Sequence, residues 1–263
     1  MIKINPLNEC VELQEPRRIM KYVLVWCSYG SVSIVVDENE FEIKANEVIT
    51  ITSGQIHYFK KIKDPAGFIL EFTYDFFCKN DNDIELIFHN GLFCHFDENE
   101  IITFDNIEMV QKELEQIKTE LNKKPYQYLI SIHSRIELIL VEINRSKIKL
   151  GNDIWKPDAL FLKFLELVRA NFQYNYQLSY FANVLGTTEA KLNDHSKLHT
   201  GKTAQNVIYG LIVSEAKRLL TYQNLSIKEV SHQLGFNDPF YFSNFFKKHT
   251  SQSPKSYKTK LVL

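Results

Sequence analysis

Leu234-Gly235-Phe236-Asn237-Asp238-Pro239-Phe240-Tyr241-Phe242-Ser243-Asn244-Phe245-Phe246-Lys247-Lys248 is the stretch on which the reading of this chain turns. Just before it, Ser226 and Glu229 stand three apart ahead of Val230, the spacing of a capping box that starts a helix. Leu234-Gly235 marks the end of that short helix, because glycine accepts the left-handed backbone needed there. Asp238-Pro239 then restarts helix abruptly, with an acceptor at the N-cap and a proline where no N–H is required. A short helix, a tight glycine turn and a second helix is the helix-turn-helix layout. On the second helix Phe242, Phe245, Phe246 and His249 share one side at helical spacing and are expected in the core. Pro239, Phe240, Ser243, Asn244 and Lys247 share the other, offering short polar groups for base edges and a cation for phosphate.

The same pattern occurs once upstream. Leu178, Phe181, Leu185 and Gly186 align with Ile227, Val230, Leu234 and Gly235 at an offset of 49. One extra residue in the second turn makes the offset 50, pairing Leu192 with Phe242 and Lys197-Leu198-His199-Thr200 with Lys247-Lys248-His249-Thr250. Between the copies, Thr203 to Tyr222 reads as one helix with Val207, Ile208, Leu211, Ile212, Ala216, Leu219 and Leu220 apolar. Twenty residues at about 1.5 Å each span roughly 30 Å. That is close to the roughly 34–36 Å between successive major-groove faces of a duplex. Two readers one turn apart on a single chain are therefore expected.

Charge supports this. The 263 residues carry 31 Lys+Arg and 32 Asp+Glu, a net charge of −1 that hides an asymmetry. Residues 1–150 hold 17 basic and 24 acidic side chains, −7, whereas residues 151–263 hold 14 and 8, +6. The basic half is the one suited to a polyanion. No run nears the roughly 18 apolar residues that span a bilayer, and the N-terminus lacks the layout of a secretory signal. Cys10, Cys27, Cys78 and Cys94 are scattered, without metal-ligand spacing, so no cofactor or metal is expected and a reducing cytoplasm is.

Residues 19–75 read as short strands broken by turns: Val23, Val25 and Cys27; Val32, Ile34 and Val36 after Gly30; Phe41 and Ile43; Val48 to Thr52; His57 to Phe59; Phe68 to Phe72. β-branched and aromatic residues at this spacing predict a small antiparallel barrel or jelly roll. The period then turns helical. Ile107, Val110, Leu114, Ile117 and Leu121, then Tyr128, Ile132, Ile136, Ile139, Leu140 and Ile143, predict a helical hairpin joined through Lys123-Lys124-Pro125. Its apolar stripe either packs on the barrel or pairs with a second copy. Lys147 to Pro157, with Gly151-Asn152-Asp153, breaks the pattern as a linker. The expected fold is α+β, with a barrel at 1–104, the hairpin at 105–150 and an all-helical domain at 151–263.

The motif Ser226-Ile227-Lys228-Glu229-Val230, Leu234-Gly235-Phe236-Asn237-Asp238-Pro239, Tyr241-Phe242-Ser243 and Phe246-Lys247-Lys248, with Ser253-Pro254 and Tyr257 after it, resembles the signature of AraC/XylS-type transcription regulators. Thr200-Gly201-Lys202 and Glu215-Ala216-Lys217-Arg218-Leu219-Leu220 are similar to that family's linker-helix region. The resemblance covers about residues 158–260. More loosely, Ala45-Asn46-Glu47-Val48 and Ser53-Gly54-Gln55-Ile56-His57 resemble the family's cupin-like effector domain. It implies a double helix-turn-helix binding double-stranded DNA, a transcription activator, a homodimer formed through the hairpin, a small-molecule effector and contact with RNA polymerase. Departures are specific: Asn244 stands where members commonly have Arg, Phe240 where Ser or Gln is frequent, and Ser251 where Gly is common. Asp194 stands where many have a basic residue, and His195-Ser196 replace two apolar ones.

The expected DNA-binding residues are Glu189, Ala190, Asn193, Asp194, Lys202, Thr203, Lys228, Pro239, Phe240, Ser243, Asn244, Lys247 and Lys248, with Lys255 and Lys258 as further phosphate contacts. Asn244 is suited to adenine and Phe240 to a thymine methyl. In the barrel, Trp26, Tyr29, His57, Tyr58 and Phe72 either line a mostly apolar effector pocket or form a filled core. A metalloenzyme of cupin type needs several converging histidines and a carboxylate. The strands offer only His57, and His89 and His95 follow them off ligand spacing. Nucleophile elbows, Walker loops and dinucleotide turns are missing too, so an enzyme is not expected. The alternative is a small-molecule-binding cupin-like protein whose helical half is an interaction module.

Overall fold

The computed structural model describes residues 1–9, 15–37, 39–88, 92–93, 100–149, 157–174, 177–222 and 225–260. Cys10, Cys94, His89, His95 and the Gly151-Asn152-Asp153 segment lie outside them. The chain divides into two compact units, Met1–Lys156 and Pro157–Leu263.

In the first unit, β1 (Lys3–Pro6), β2 (Arg17–Arg18), β3 (Tyr22–Val36), β4 (Asn39–Lys44), β5 (Glu47–Ile51), β6 (Ile56–Phe72) and β7 (Ile101–Thr103) form one sheet. All pairs are antiparallel, in the order β1-β6-β3-β5-β7, with β2 on β6 and β4 on β3. The expectation of short strands separated at Gly30 is corrected: β3 and β6 are long and stay paired from Tyr22↔Phe72 to Val36↔His57. Register shifts between Cys27 and Ser31, and at Ser33/Ile34, bend them without ending the ladder. Glycine is required at the bends. A Cβ on Gly30 (φ +73°) would meet the Asp64 carbonyl oxygen at 2.5 Å, and one on Gly67 (φ +142°) the Trp26 oxygen at 2.0 Å.

The bends fold the sheet over one of its faces. Val23, Val25, Cys27, Ile49, Ile51 and Ile69 from one half join Val32, Ile34, Val36, Ile43 and Phe59 from the other in a single buried cluster. Side chains on the opposite face of the first half are equally buried, among them Tyr22, Trp26 and Phe72. Helices α1 (Tyr74–Phe77), α2 (Asp81–Phe88), α3 (Ile107–Lys123) and α4 (Tyr128–Lys149) follow in the same unit. Tyr22, Phe72, Phe77 and Phe93 pack their rings at 5.3–5.8 Å. The hairpin stripe, from Val110, Leu114 and Ile117 to Ile132, Ile136, Ile139, Leu140 and Ile143, is spent on this unit's own core. Arg135 of α4 clasps Glu113 and Glu120 of α3 at 2.5 and 3.2 Å. Tyr126, Ile130 and Leu138 remain exposed.

This layout sets the five residues named for a pocket or a filled core in different surroundings. Trp26 and Phe72 lie on the face away from the folded-over cluster, whereas His57 pairs with Val36 on the cluster side. Tyr29, at the bulge, is 68% exposed. Because strand side chains alternate between faces, Trp26, Tyr29, His57, Tyr58 and Phe72 do not converge on one cavity. His57 is a core residue: its Nδ1 donates to the Gln55 carbonyl at 3.2 Å, and burial, then the Arg17 charge, lowers its pKa to about 4.

The second unit is helical: α5 (Ala159–Ala170), a 3-10 turn (Phe172–Tyr174), α6 (Leu178–Val184), α7 (Glu189–Thr200), α8 (Ala204–Tyr222), α9 (Ile227–Gln233), α10 (Pro239–Thr250) and α11 (Pro254–Lys260). Phe161, Phe164, Phe181, Leu192, Val207, Leu211, Val230, Phe242 and Phe246 are buried in it. Among the described residues no helix is long and apolar enough to cross a membrane.

Candidate nucleic-acid interface

The two helix pairs are built on one hydrogen-bond scheme. In the first, Gly186 N–H donates to Asn183 O at 3.1 Å and Thr187 N–H to Ala182 O at 2.9 Å. In the second, Gly235 N–H donates to His232 O at 3.1 Å and Phe236 N–H to Ser231 O at 3.0 Å. Both glycines take a left-handed φ, +62° and +74°. Each turn is thus a Schellman-type C-cap, whose 6→1 bond reverses the chain toward the second helix. Ala182 and Ser231, at equivalent positions under the turns, are both buried.

Caps then set where each reading helix begins and ends. Thr188 accepts from Lys191 N–H at 3.2 Å to start α7, and Asp238 accepts from Phe240 N–H at 2.8 Å to start α10, with Pro239 in the first turn. The capping box on α9 is complete, since Ser226 Oγ accepts from Glu229 N–H and Glu229 Oε2 from Ser226 N–H. Both reading helices end on a left-handed residue whose N–H returns to the fourth residue back, Gly201 to Lys197 and Ser251 to Lys247, each at 2.9 Å. The helix between the pairs, α8, is 19 residues, about 28 Å long at 1.5 Å per residue.

The side chains divide as follows. Phe242 and Phe246 are buried, and Phe246 packs on Tyr257 of α11 at 5.6 Å. Phe245 is half-buried, and the expectation that His249 faces the core is corrected: it is exposed, lying against the Phe245 and Tyr209 rings at 4.7 and 5.1 Å. The 12 residues of α10, a little over three turns, do not keep a strict stripe, so the position one turn beyond Phe245 rotates to the rim. Phe240, Asn244, Lys247 and Lys248 are exposed, and Pro239 and Ser243 half-exposed, with the Ser243 hydroxyl donating back to Pro239 O at 2.8 Å.

On the first pair, Glu189, Ala190 and Asp194 are exposed, as are Lys202 ahead of α8 and Lys228 on α9. Two residues expected among the contacts serve mainly to position helices. Asn193 Oδ1 accepts from Ala204 N–H at 2.9 Å, and Thr203 Oγ1 accepts from Asn206 N–H at 3.3 Å, so both cap the start of α8. Lys258 likewise directs its ammonium to Leu225 O at 2.6 Å, whereas Lys255 is exposed. Tyr241, 74% exposed beside Phe240, is not among the expected contacts. Its pairing with buried Phe242 in a run of aromatics masks which ring faces out.

Electrostatically the two reading helices differ. On α7, Glu189 and Asp194 offset Lys191 and Lys197, whereas α10 carries Lys247 and Lys248 with no acid after its cap.

Residues 181–260 match the family model described as a helix-turn-helix domain. An uncharacterised HTH-type transcriptional regulator of Pseudoalteromonas carrageenovora is 27% identical over 117 residues, 44% of this chain and 66% of that protein. The HTH-type transcriptional activator RhaS of Pectobacterium carotovorum is 42% identical over 65 residues, 25% of this chain and 23% of that protein. Among solved structures, ToxT of Vibrio cholerae O395 is similar at 14% identity with a TM-score of 0.44, covering 99% of this chain and 97% of that one. The chain thus spans less than two thirds of the length of the curated relatives named here.

Proposed function

We propose that the C-terminal unit, whose residues 181–260 match a helix-turn-helix domain, is a double helix-turn-helix of the AraC/XylS type, and that the whole chain is a transcription regulator binding two successive major grooves of duplex DNA. The observation that carries the reading is the repeated turn, which sets two capped helices, each with an exposed polar face, on either side of one connecting helix. In this reading Asn244 and Phe240 read base edges, and Lys202, Lys228, Lys247, Lys248 and Lys255 contact phosphate. Glu189, Ala190 and Asp194 shape the first contact. The second motif supplies more of the electrostatic grip, since its reading helix keeps two unopposed lysines, while the first contributes mainly position.

The N-terminal unit is the regulatory half in this proposal, acting in the cytoplasm, without enzymatic chemistry and as an activator that meets RNA polymerase. A homodimer forms through the exposed side of α4, where Ile130 and Leu138 lie eight residues apart, because the buried stripe of the hairpin is already used. Sedimentation of Ile130→Glu and Leu138→Glu tests that part, and unchanged mass in both variants refutes it.

DNA reading is tested by selecting bound duplexes from a random pool with the full chain. Enrichment of paired sites about one helical turn apart is expected. Asn244→Ala then relaxes one base position at a cost of about 1–3 kcal/mol, and Lys247→Ala weakens all sequences alike. No enrichment at low salt would sink the proposal.

A further inference from the structure

Among the described residues, two clusters outside the reading faces bring histidine and carboxylate together: Asp83, His133 and Glu137, and Asp158, His195 and His199. The first is a capping network. His133 turns Nε2 to the Phe77 carbonyl at 2.7 Å and its other nitrogen to Glu137, so one ring faces two directions. Asp83 Oδ2 is bonded to Lys79 N–H at 2.8 Å. His133 Nε2 and Asp83 Oδ2 are thus already engaged by backbone groups.

The second cluster converges. His195 and His199 stand four apart on α7, which places both imidazoles on one side of the helix. His195 Nδ1 and His199 Nε2 lie 2.6 and 2.5 Å from the same oxygen, Asp158 Oδ2. The carboxylate is held from behind: its Oδ1 accepts from Phe161 N–H at 2.9 Å as the N-cap of α5. The His199 ring rests on Phe161 at 5.2 Å. Such support of a ligand by a fixed hydrogen bond and a packed ring is what metal sites use to orient their donors. The three side chains are 33%, 27% and 10% exposed, so the cluster is open to an ion and to a water.

We propose that Asp158, His195 and His199 form a binding site for a borderline divalent cation of the zinc type, which ties the start of α5 to the first reading helix. Two imidazoles and one carboxylate are a donor set for Zn2+, Co2+ or Ni2+ rather than for Ca2+ or Mg2+. Without metal, contacts this short need a proton between each nitrogen and Oδ2. His199 Nε2 also lies 3.3 Å from the Asp158 backbone nitrogen, so this ring nitrogen is turned wholly toward Asp158. A tetrahedral ion bonded at roughly 2.0–2.1 Å needs donors about 3.3 Å apart, so each imidazole shifts by less than about 1 Å while both protons leave. The fourth position is left to water. His195 and His199 lie on the flank of α7, while Ala190, Asp194 and Lys197 are exposed, so the ion positions the helix and leaves its reading face clear.

The test uses tag-free full-length protein freed of metal by chelator. Zn2+ titrated by calorimetry and Co2+ by its visible absorption are expected to saturate at one ion per chain, more weakly at acid pH because protons compete. His195→Gln and Asp158→Asn should each weaken binding at least ~10-fold, and His133→Gln should leave it unchanged. Asn at 158 keeps the cap on Phe161, and circular dichroism of both variants verifies the fold. Zn2+ should raise the melting temperature of the unaltered protein and not that of His195→Gln. No saturable binding, or binding that survives both substitutions, overturns the proposal. None of these readouts involves DNA, so the outcome is separate from that of the proposed regulator.

Discussion

At the scale of single residues, the duplication exposes one compromise. Gly201 and Ser251 end the two reading helices in the same left-handed conformation, φ +68° and +62°, yet only one is glycine. A side chain there costs roughly 1–2 kcal/mol, of which glycine's greater unfolded-state entropy offsets about 0.4–1. Ser251→Gly should therefore stabilise the protein by about 0.5–1 kcal/mol, and Gly201→Ser should destabilise it similarly, read as opposite shifts in denaturant midpoint. Nothing lies within 4 Å of a Cβ on Gly201, so only the backbone term enters. His57 gives a pH signature. Its pKa is lowered to about 4 in the fold, against about 6.5 unfolded. Between those values the unfolded chain binds a proton that the folded one excludes, so stability is complete above the unfolded value and falls as pH drops toward 4. The loss at this residue is about 3 kcal/mol. His57→Gln should flatten the acid limb of the stability–pH curve; an unchanged limb rules this cause out.

At the scale of elements, start and stop chemistry was legible and strand length was not. Ser226, Glu229, Asp238 and Pro239 marked α9 and α10 because caps are local, with donor and acceptor within three residues. Asp238→Ala should cost about 1 kcal/mol and fray the first turn of α10, lowering DNA affinity as well as stability. A melting shift without an affinity change would mean that Phe240 and Asn244 do not depend on that turn. In the sheet, Gly30 looked like a chain break. It is a bend, because β3 and β6 press together there, and that contact joins residues more than 30 apart in sequence. His195 and His199 stand four apart, but that spacing alone did not mark them as ligands, and Asp158, 37 residues before His195, has no local signal.

At the scale of the molecule, the net charge of −1 is a cancellation, and DNA binding should ignore it. Salt dependence counts counterions released at phosphate contacts, roughly 0.9 per contact in the log–log slope. The full chain and residues 157–263 alone should share one slope, and Lys247→Ala or Lys248→Ala should each reduce it by about 1. A much shallower slope for the full chain would mean that the acidic half competes for the lysines.

The order of residues alone determined the helical duplication, the caps and the polarity of α10, because each depends on neighbours within a turn or two. Tertiary structure decided which face of each strand is enclosed, and so scattered Trp26, Tyr29, His57, Tyr58 and Phe72 over different surroundings. It also decided that the hairpin stripe packs within its own unit, that Asn193 caps α8, and that Asp158 meets two histidines. Those outcomes rest on contacts between distant segments, which no local spacing encodes.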